Sequence, residues 1–134
     1  MKQKNNLILI CVLLLAFILR IINLTQTPLF GDEIDVGLQA NSLLQTFRDY
    51  HNNLLPFYLQ SFSESRAPLF IYATVPSIAV FGLTPLAVRL VPLLFGLISI
   101  FFLYRLVLLI TRNSQLSTYS ALVLSLTPWH IHYS

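Results

Sequence analysis

The sequence predicts an all-α integral membrane protein, a polytopic helical bundle of about three transmembrane helices with interfacial amphipathic helices in its first external loop. Three observations lead there. Of 134 residues, 56% are hydrophobic and only 10% charged, with a mean hydropathy of +0.74. A soluble domain of this size needs a hydrated, charged surface that such a composition does not supply. Apolar runs of membrane-spanning length recur along the chain. The long stretch between the first two runs is too rich in apolar and aromatic residues to be a solvated linker.

The first run covers residues 7–24 and is interrupted only by Arg20 and Asn23. At about 1.5 Å per residue its length approaches the hydrocarbon thickness of a bilayer. The basic start Met1-Lys2-Gln3-Lys4 also suits a signal peptide. No small-x-small cleavage site follows, however, and Arg20 stands where one is expected, so an uncleaved anchor is predicted. Arg20 is expected to snorkel towards the outer interface. A second span is predicted over 90–110, despite Pro92 and Gly96, and a third over 116–133. The third carries Ser117, Thr118, Ser120, Ser125 and Thr127, a pattern that faces other helices rather than lipid. It ends in Trp129-His130-Ile131-His132-Tyr133, which has the composition of an interfacial aromatic belt.

Residues 67–83 are apolar but short and contain Pro68, Pro76 and Gly82; they either span or lie along the interface. If they do not span, Lys2, Lys4, Arg105 and Arg112 are cytoplasmic and Arg48, Arg66 and Arg89 external. That division fits the positive-inside rule better than the alternative. The N-terminus is then cytoplasmic and residues 25–88 form one external loop.

Within the loop, Pro28 and Gly31 bracket a turn. A helix over about 33–48 follows, with Val36, Ala40, Leu43, Leu44 and Phe47 on one face and Asp35, Gln39, Ser42 and Thr46 on the other. This periodicity predicts a helix lying in the plane of the interface. Stretches 50–56 and 61–66 read as polar breaks. The sharpest local feature is Gly31-Asp32-Glu33-Ile34-Asp35. Asp32 is expected as an N-cap, with Glu33 and Asp35 favourable in the first turn. The same carboxylates, held where the chain leaves the membrane, are also candidates for a general base or a metal ligand.

Composition narrows the function classes. The net charge is +3, and the basic residues are scattered rather than gathered into a stripe, so nucleic-acid binding is not expected. The single cysteine, Cys11, lies in the first run and forms no internal disulfide. A transporter segment would want ionisable residues buried in mid-span, and only Arg20 qualifies. His51 is read as an exposed turn residue with a possible acceptor contact. His130 and His132, two apart, would not share a helix face, which disfavours a metal site there. The sequon Asn23-Leu24-Thr25 lies at the membrane boundary and is taken as coincidence.

The order of features also carries a resemblance. An Arg-containing anchor (Phe17-Ile18-Leu19-Arg20-Ile21) leads to a Pro, to Gly31-Asp32-Glu33 and to an amphipathic helix. Pro56, Arg66-Ala67-Pro68-Leu69, Phe81-Gly82-Leu83 and Ala87-Val88-Arg89-Leu90-Val91-Pro92 follow. A Gly96-bearing span and Pro128 complete the series. This resembles the N-terminal part of a GT-C membrane glycosyltransferase, of the dolichyl-phosphate-mannose and aminoarabinose types (glycosyltransferase family 39 and its bacterial relatives). The resemblance covers nearly the whole chain through an ordered set of individually common motifs.

It implies transfer of a hexosyl or pentosyl group from a polyprenyl-phosphate sugar donor to a protein, lipid or glycan acceptor at the outer face of the cell membrane. Asp32 matches the family's candidate base and Glu33 the second acid of its motif. Arg89 resembles the family's arginine after the loop's apolar helices, and Arg66 precedes the Pro-Leu that opens them. The resemblance implies that one of them, or a divalent metal ion, meets the charge of the departing phosphate; the alternative for both is an interfacial anchor beside lipid phosphate. The family pattern continues into further spans, so the chain is expected to be a fragment of the transferase. The competing expectation is a small non-catalytic membrane scaffold in which Asp32 is only a cap.

Overall fold

A computed structural model describes residues 2–22, 24–25, 28–61 and 64–134, with the side chains of 2–6 and 64 left aside; Asn23 of the sequon falls outside the described residues. The chain is predominantly helical. Its elements are α1 (Lys2–Ile21), α2 (Asp32–Thr46), β1 (Leu59–Ser61), β2 (Glu64–Arg66), α3 (Pro68–Phe81), α4 (Pro85–Thr111), α5 (Ser114–Leu126) and α6 (Pro128–His132). They fall into two compact units. One comprises residues 1–23 and 92–134, the other Leu24–Val91.

In the first unit, α1 packs against α5. Leu9, Val12 and Ala16 recur at i, i+3 and i+7 and form a buried cluster with Ile100, Tyr104 and Ala121. Ala16 and Ala121 are fully buried, and such small side chains let helix backbones approach closely. The expected hydroxyl face is present on α5. Ser117 and Ser125 are fully buried, and their hydroxyls donate to the backbone carbonyls of Asn113 (2.8 Å) and Leu122 (2.8 Å). The Asn113 side chain caps α5 by accepting from the amides of Gln115 and Leu116. Meanwhile long apolar side chains such as Leu14, Ile18, Leu109 and Val123 remain exposed.

Helix α4 is 27 residues long and, by length and composition, apolar enough to cross a membrane. The apolar stretches Leu7–Ile21 and Pro68–Phe81 are shorter. Pro85 starts α4 at a position where a missing amide costs nothing, so the helix begins five residues before the expected 90 and carries Arg89 on its first turns. The segment expected as one helix over 116–133 is divided instead. Thr127 is extended (φ −65°, ψ 119°) between α5 and α6, because Pro128 disfavours the α conformation in the residue before it.

The second unit is built on α2 packed against α3. Val36, Ala40 and Leu43 of α2 bury against Leu59, Ile71, Ile78, Ala87 and Val88. Most of the apolar face that periodicity assigned to a lipid interface is therefore covered by protein: Val36, Ala40 and Leu43 are buried and Leu44 packs beside them, while Phe47 stays exposed. The polar face departs from expectation as well, since Asp35 and Gln39 are buried. A two-stranded antiparallel hairpin explains both. It pairs Leu59 with Arg66, Gln60 with Ser65 and Ser61 with Glu64. Leu59 anchors it in the core, and Gln39 Nε2 donates to the Gln60 carbonyl at 3.0 Å. Residues 61–66, read as a polar break, are thus partly strand.

Between α2 and the hairpin, Phe47 ends the helix in the left-handed region (φ 56°). The following loop closes on buried Asp49, which accepts from the His51 amide (2.9 Å), the Asn53 amide (2.8 Å) and Asn53 Nδ2 (3.0 Å). His51 itself is exposed.

Candidate functional site

The four residues singled out from the sequence lie together in the second unit, at the start of α2. Gly31 precedes the helix with φ 50° and ψ −115°, a left-handed conformation that side-chain-bearing residues rarely adopt. Its use there corrects the expectation for Asp32. Gly31 occupies the cap position, Asp32 is the first helical residue, and no side chain caps α2. The Asp32 carboxylate makes no capping bond and remains 83% exposed.

Each acid of the pair has its own arginine. Arg66, at the end of β2, reaches Asp32 Oδ1 with Nη2 at 2.5 Å and Asp35 Oδ2 with Nε at 3.0 Å. Asp32 and Asp35 are three apart on α2, hence on one face, and a planar guanidinium bridges that spacing. Arg89 takes Glu33 in a bidentate grip, with Nε to Oε1 at 2.7 Å and Nη2 to Oε2 at 2.6 Å. It also donates to the backbone carbonyls of Leu24 (2.9 Å) and Pro28 (3.1 Å). A forked pair of this kind is short, directional and among the stronger hydrogen-bonded contacts a protein makes.

The two pairs differ in accessibility. The hydrogen bonds from Arg89 hold the Glu33 carboxyl below its ordinary range; partial burial works against this, while the Arg89 charge and a Phe30 amide bond add to it. Glu33 is thereby fixed as an anion inside a strap joining α2, α4 and the backbone carbonyls of Leu24 and Pro28. Asp32 is held at one oxygen only, and its Oδ2 has no partner among the described residues.

Asp35 was named with the acidic motif, but its burial and its pairing with Arg66 were not foreseen. It was assigned to the solvent-facing side of α2, yet its side chain is 6% exposed. The i, i+3 spacing from Asp32, with Arg66 downstream, was the available signal. The Tyr50 hydroxyl is pushed up to about 12, by burial first and then by the Asp35 charge. The arrangement therefore presents one open carboxylate beside a guanidinium that bridges a second, buried carboxylate.

As for a metal, among the described residues no group of three or more His, Cys, Asp or Glu side chains converges as a metal site requires. Asp32, Glu33 and Asp35 share a helical turn but are each turned to an arginine, so these residues do not fit a divalent-ion cage. No protein-family model, no curated protein and no solved structure matches the chain.

Proposed function

We propose that the chain is the N-terminal part of a GT-C membrane glycosyltransferase that moves a sugar from a polyprenyl-phosphate donor to an acceptor hydroxyl at the outer membrane face. The reading rests on the resemblance carried by the ordered motifs. The observation that favours it is the convergence of Asp32, Glu33, Arg66 and Arg89 at one helix start, with Asp32 open to solvent.

In this reading the bilayer holds the protein through helices of the first unit, and the loop of the second unit is external. Asp32 is the base. The acceptor oxygen attacks the anomeric carbon, its proton passes to Asp32, and the carbon–oxygen bond to the carrier phosphate breaks with its electron pair going to the phosphate. A carboxylate within hydrogen-bond reach of the hydroxyl is what such a step needs. Arg66 meets the charge that develops on the departing phosphate. As the phosphate engages this guanidinium, Arg66 loosens its hold on Asp32 Oδ1, while Asp35 keeps the arginine in place. Glu33 and Arg89 act as positioning residues, because both are committed to the strap.

A non-catalytic scaffold is the second reading, and the full engagement of Glu33 by Arg89 favours it. The test is sugar transfer from a polyprenyl-phosphate sugar in membranes containing the protein. Asp32→Asn is expected to abolish transfer while leaving membrane insertion normal. Transfer that persists in Asp32→Asn removes Asp32 from the chemistry; no transfer by the unaltered protein from donors of either sugar class leaves the scaffold reading standing.

A further inference from the structure

While α2 buries most of its apolar face in the protein, the segment between α2 and β1 turns its apolar side chains outward. Phe47 ends α2, and its carbonyl accepts the Leu55 amide at 2.9 Å. One step further along, Arg48 and Leu54 form an antiparallel bridge. The tip closes where the Asp49 amide donates to the Asn53 carbonyl and the Asn52 amide to the Asp49 carbonyl, both at 3.1 Å. The buried Asp49 carboxylate braces this tip from within through its bonds from His51 and Asn53. Ser42 Oγ ties the knuckle to α2 by donating to the Arg48 carbonyl at 2.9 Å. Tyr72 holds its exit by donating to the Pro56 carbonyl at 3.1 Å.

This braced framework displays apolar surface. Phe47, Tyr50, Leu54, Leu55, Phe57 and Tyr58 are all exposed, Phe57 by as much as 85%. Phe47 and Leu55, joined by the first of these hydrogen bonds, both stand in the left-handed region, with φ of 56° and 42°. That conformation is costly for bulky side chains and is normally left to Gly or Asn. Burial does not offset the cost, because both side chains stand in the open. Strain held in place by the surrounding structure points to a use for the segment that carries it.

The charges on the knuckle narrow that use. Asp49 is the only acid in residues 47–58, and it is buried and engaged within the loop. Arg48 is exposed, and its Nη1 donates to the Asn52 carbonyl (2.7 Å) and to Asn52 Oδ1 (3.4 Å) rather than to a carboxylate. The surface on offer therefore combines aromatic rings, leucines and a cation, with no exposed carboxylate. It complements an anionic bilayer, where Tyr and Phe settle at the headgroup level and an Arg beside them reaches lipid phosphate. Helix α4 of the same chain has the length and composition to cross a membrane, so a bilayer surface is the partner at hand.

We propose that the knuckle formed by residues 47–58 inserts into the interfacial layer of an anionic bilayer, with Phe47, Leu54 and Leu55 entering the acyl region and Arg48 meeting lipid phosphate. The lipid contact that periodicity assigned to the face of α2 passes instead to the loop that follows it. The proposal does not rest on the transfer reading, since its readout is lipid contact and not turnover.

The test uses the whole chain with Trp129→Phe, which removes the single native tryptophan, and Leu54→Trp, which places an emitter on the knuckle; Tyr58→Trp is a second emitter position. The protein is reconstituted into phosphatidylcholine vesicles, with or without phosphatidylglycerol, whose acyl chains are brominated near the headgroup. Bromine is expected to quench the emission, and about twofold more strongly when phosphatidylglycerol is present. Arg48→Gln should erase that difference. Leu55→Asn separates lipid contact from a purely structural role, because Asn accepts the left-handed backbone. Its thermal stability should hold or rise while quenching falls to about half or less. Emission that stays at its aqueous wavelength from both positions overturns the proposal. So does emission shifted to shorter wavelength without bromine quenching, which would mean that protein covers the knuckle. Unchanged quenching in Leu55→Asn overturns it as well.

Discussion

The two units treat a buried arginine in opposite ways. Around α2, Arg66 and Arg89 each face carboxylates and stitch together segments distant in sequence: Arg66 joins β2 to α2, and Arg89 joins α4 to α2 and to the carbonyls of Leu24 and Pro28. Around α1, Arg20 is more deeply buried, at 5% exposed against side-chain values of 25% for Arg66 and 14% for Arg89, and bonds to an imidazole, a hydroxyl and a carbonyl. Removing one partner of a buried ion pair strands the other charge, whereas removing a buried cation from such groups relieves a desolvation cost as it breaks hydrogen bonds. The same residue type is therefore held by carboxylates in one unit and by an imidazole, a hydroxyl and a carbonyl in the other.

That contrast can be broken by substitution, and the largest effect is expected at the forked pair. Arg89→Met leaves Glu33 and two backbone carbonyls without their donor. Loss of one partner of a buried pair costs about 3–5 kcal/mol; since the Glu33 side chain is 37% exposed, water recovers part of this and about 2 kcal/mol is expected. Denaturant unfolding of the purified protein, followed by circular dichroism, measures it.

Acid should weaken the second unit through two of its carboxyls. The Glu33 and Asp49 carboxyls both lie below their ordinary values. For Glu33 the Arg89 hydrogen bonds are responsible. For Asp49 burial acts upward but is outweighed by the bonds from Asn53 and His51. A carboxyl whose folded value is depressed contributes stability that is complete above its unfolded value and is lost as pH falls through the folded one. Stability should therefore be level above the ordinary Glu value of 4.5 and decline below it. Asp49→Asn and Glu33→Gln should each flatten that decline in an acid titration monitored by circular dichroism.

Gly31→Ala should cost about 1 kcal/mol, because nothing crowds a Cβ there and only the left-handed backbone resists it. The smallest effect is expected from Arg20→Met. It removes three hydrogen bonds together with the desolvation cost of a buried cation, so its stability should stay within about 1 kcal/mol of the parent. A loss comparable to that of Arg89→Met would erase the contrast between the units.

Much of this was legible in the sequence, for identifiable reasons. The apolar runs gave α1 and α4, and the periodicity of Val36, Ala40 and Leu43 gave α2, because these signals are local. What covers a helix face is not local. The apolar side of α2 reads equally well as facing lipid or protein, and only the packing of α3 and the Leu59 anchor decides between them. The hairpin was hidden because its strands are three residues each and its register depends on tertiary burial of one leucine. At the site, the acids and arginines were each visible, but their pairing was not. Arg66–Asp32 closes over 34 residues and Arg89–Glu33 over 56. The partners of Arg20 were hidden for the same reason, since His130 and Ser134 lie 110 and 114 residues away in sequence.

The central claim is that the two adjacent acids divide their work, Asp32 to chemistry and Glu33 to holding the fold. Turnover of a polyprenyl-phosphate sugar and the unfolding midpoint, measured together for Asp32→Asn and Glu33→Gln, address it directly. Asp32→Asn should lose essentially all turnover with its midpoint nearly unchanged, and Glu33→Gln should lose stability while retaining turnover below its midpoint. Full turnover in Asp32→Asn, or loss of turnover in both variants alike with stability intact, would contradict it.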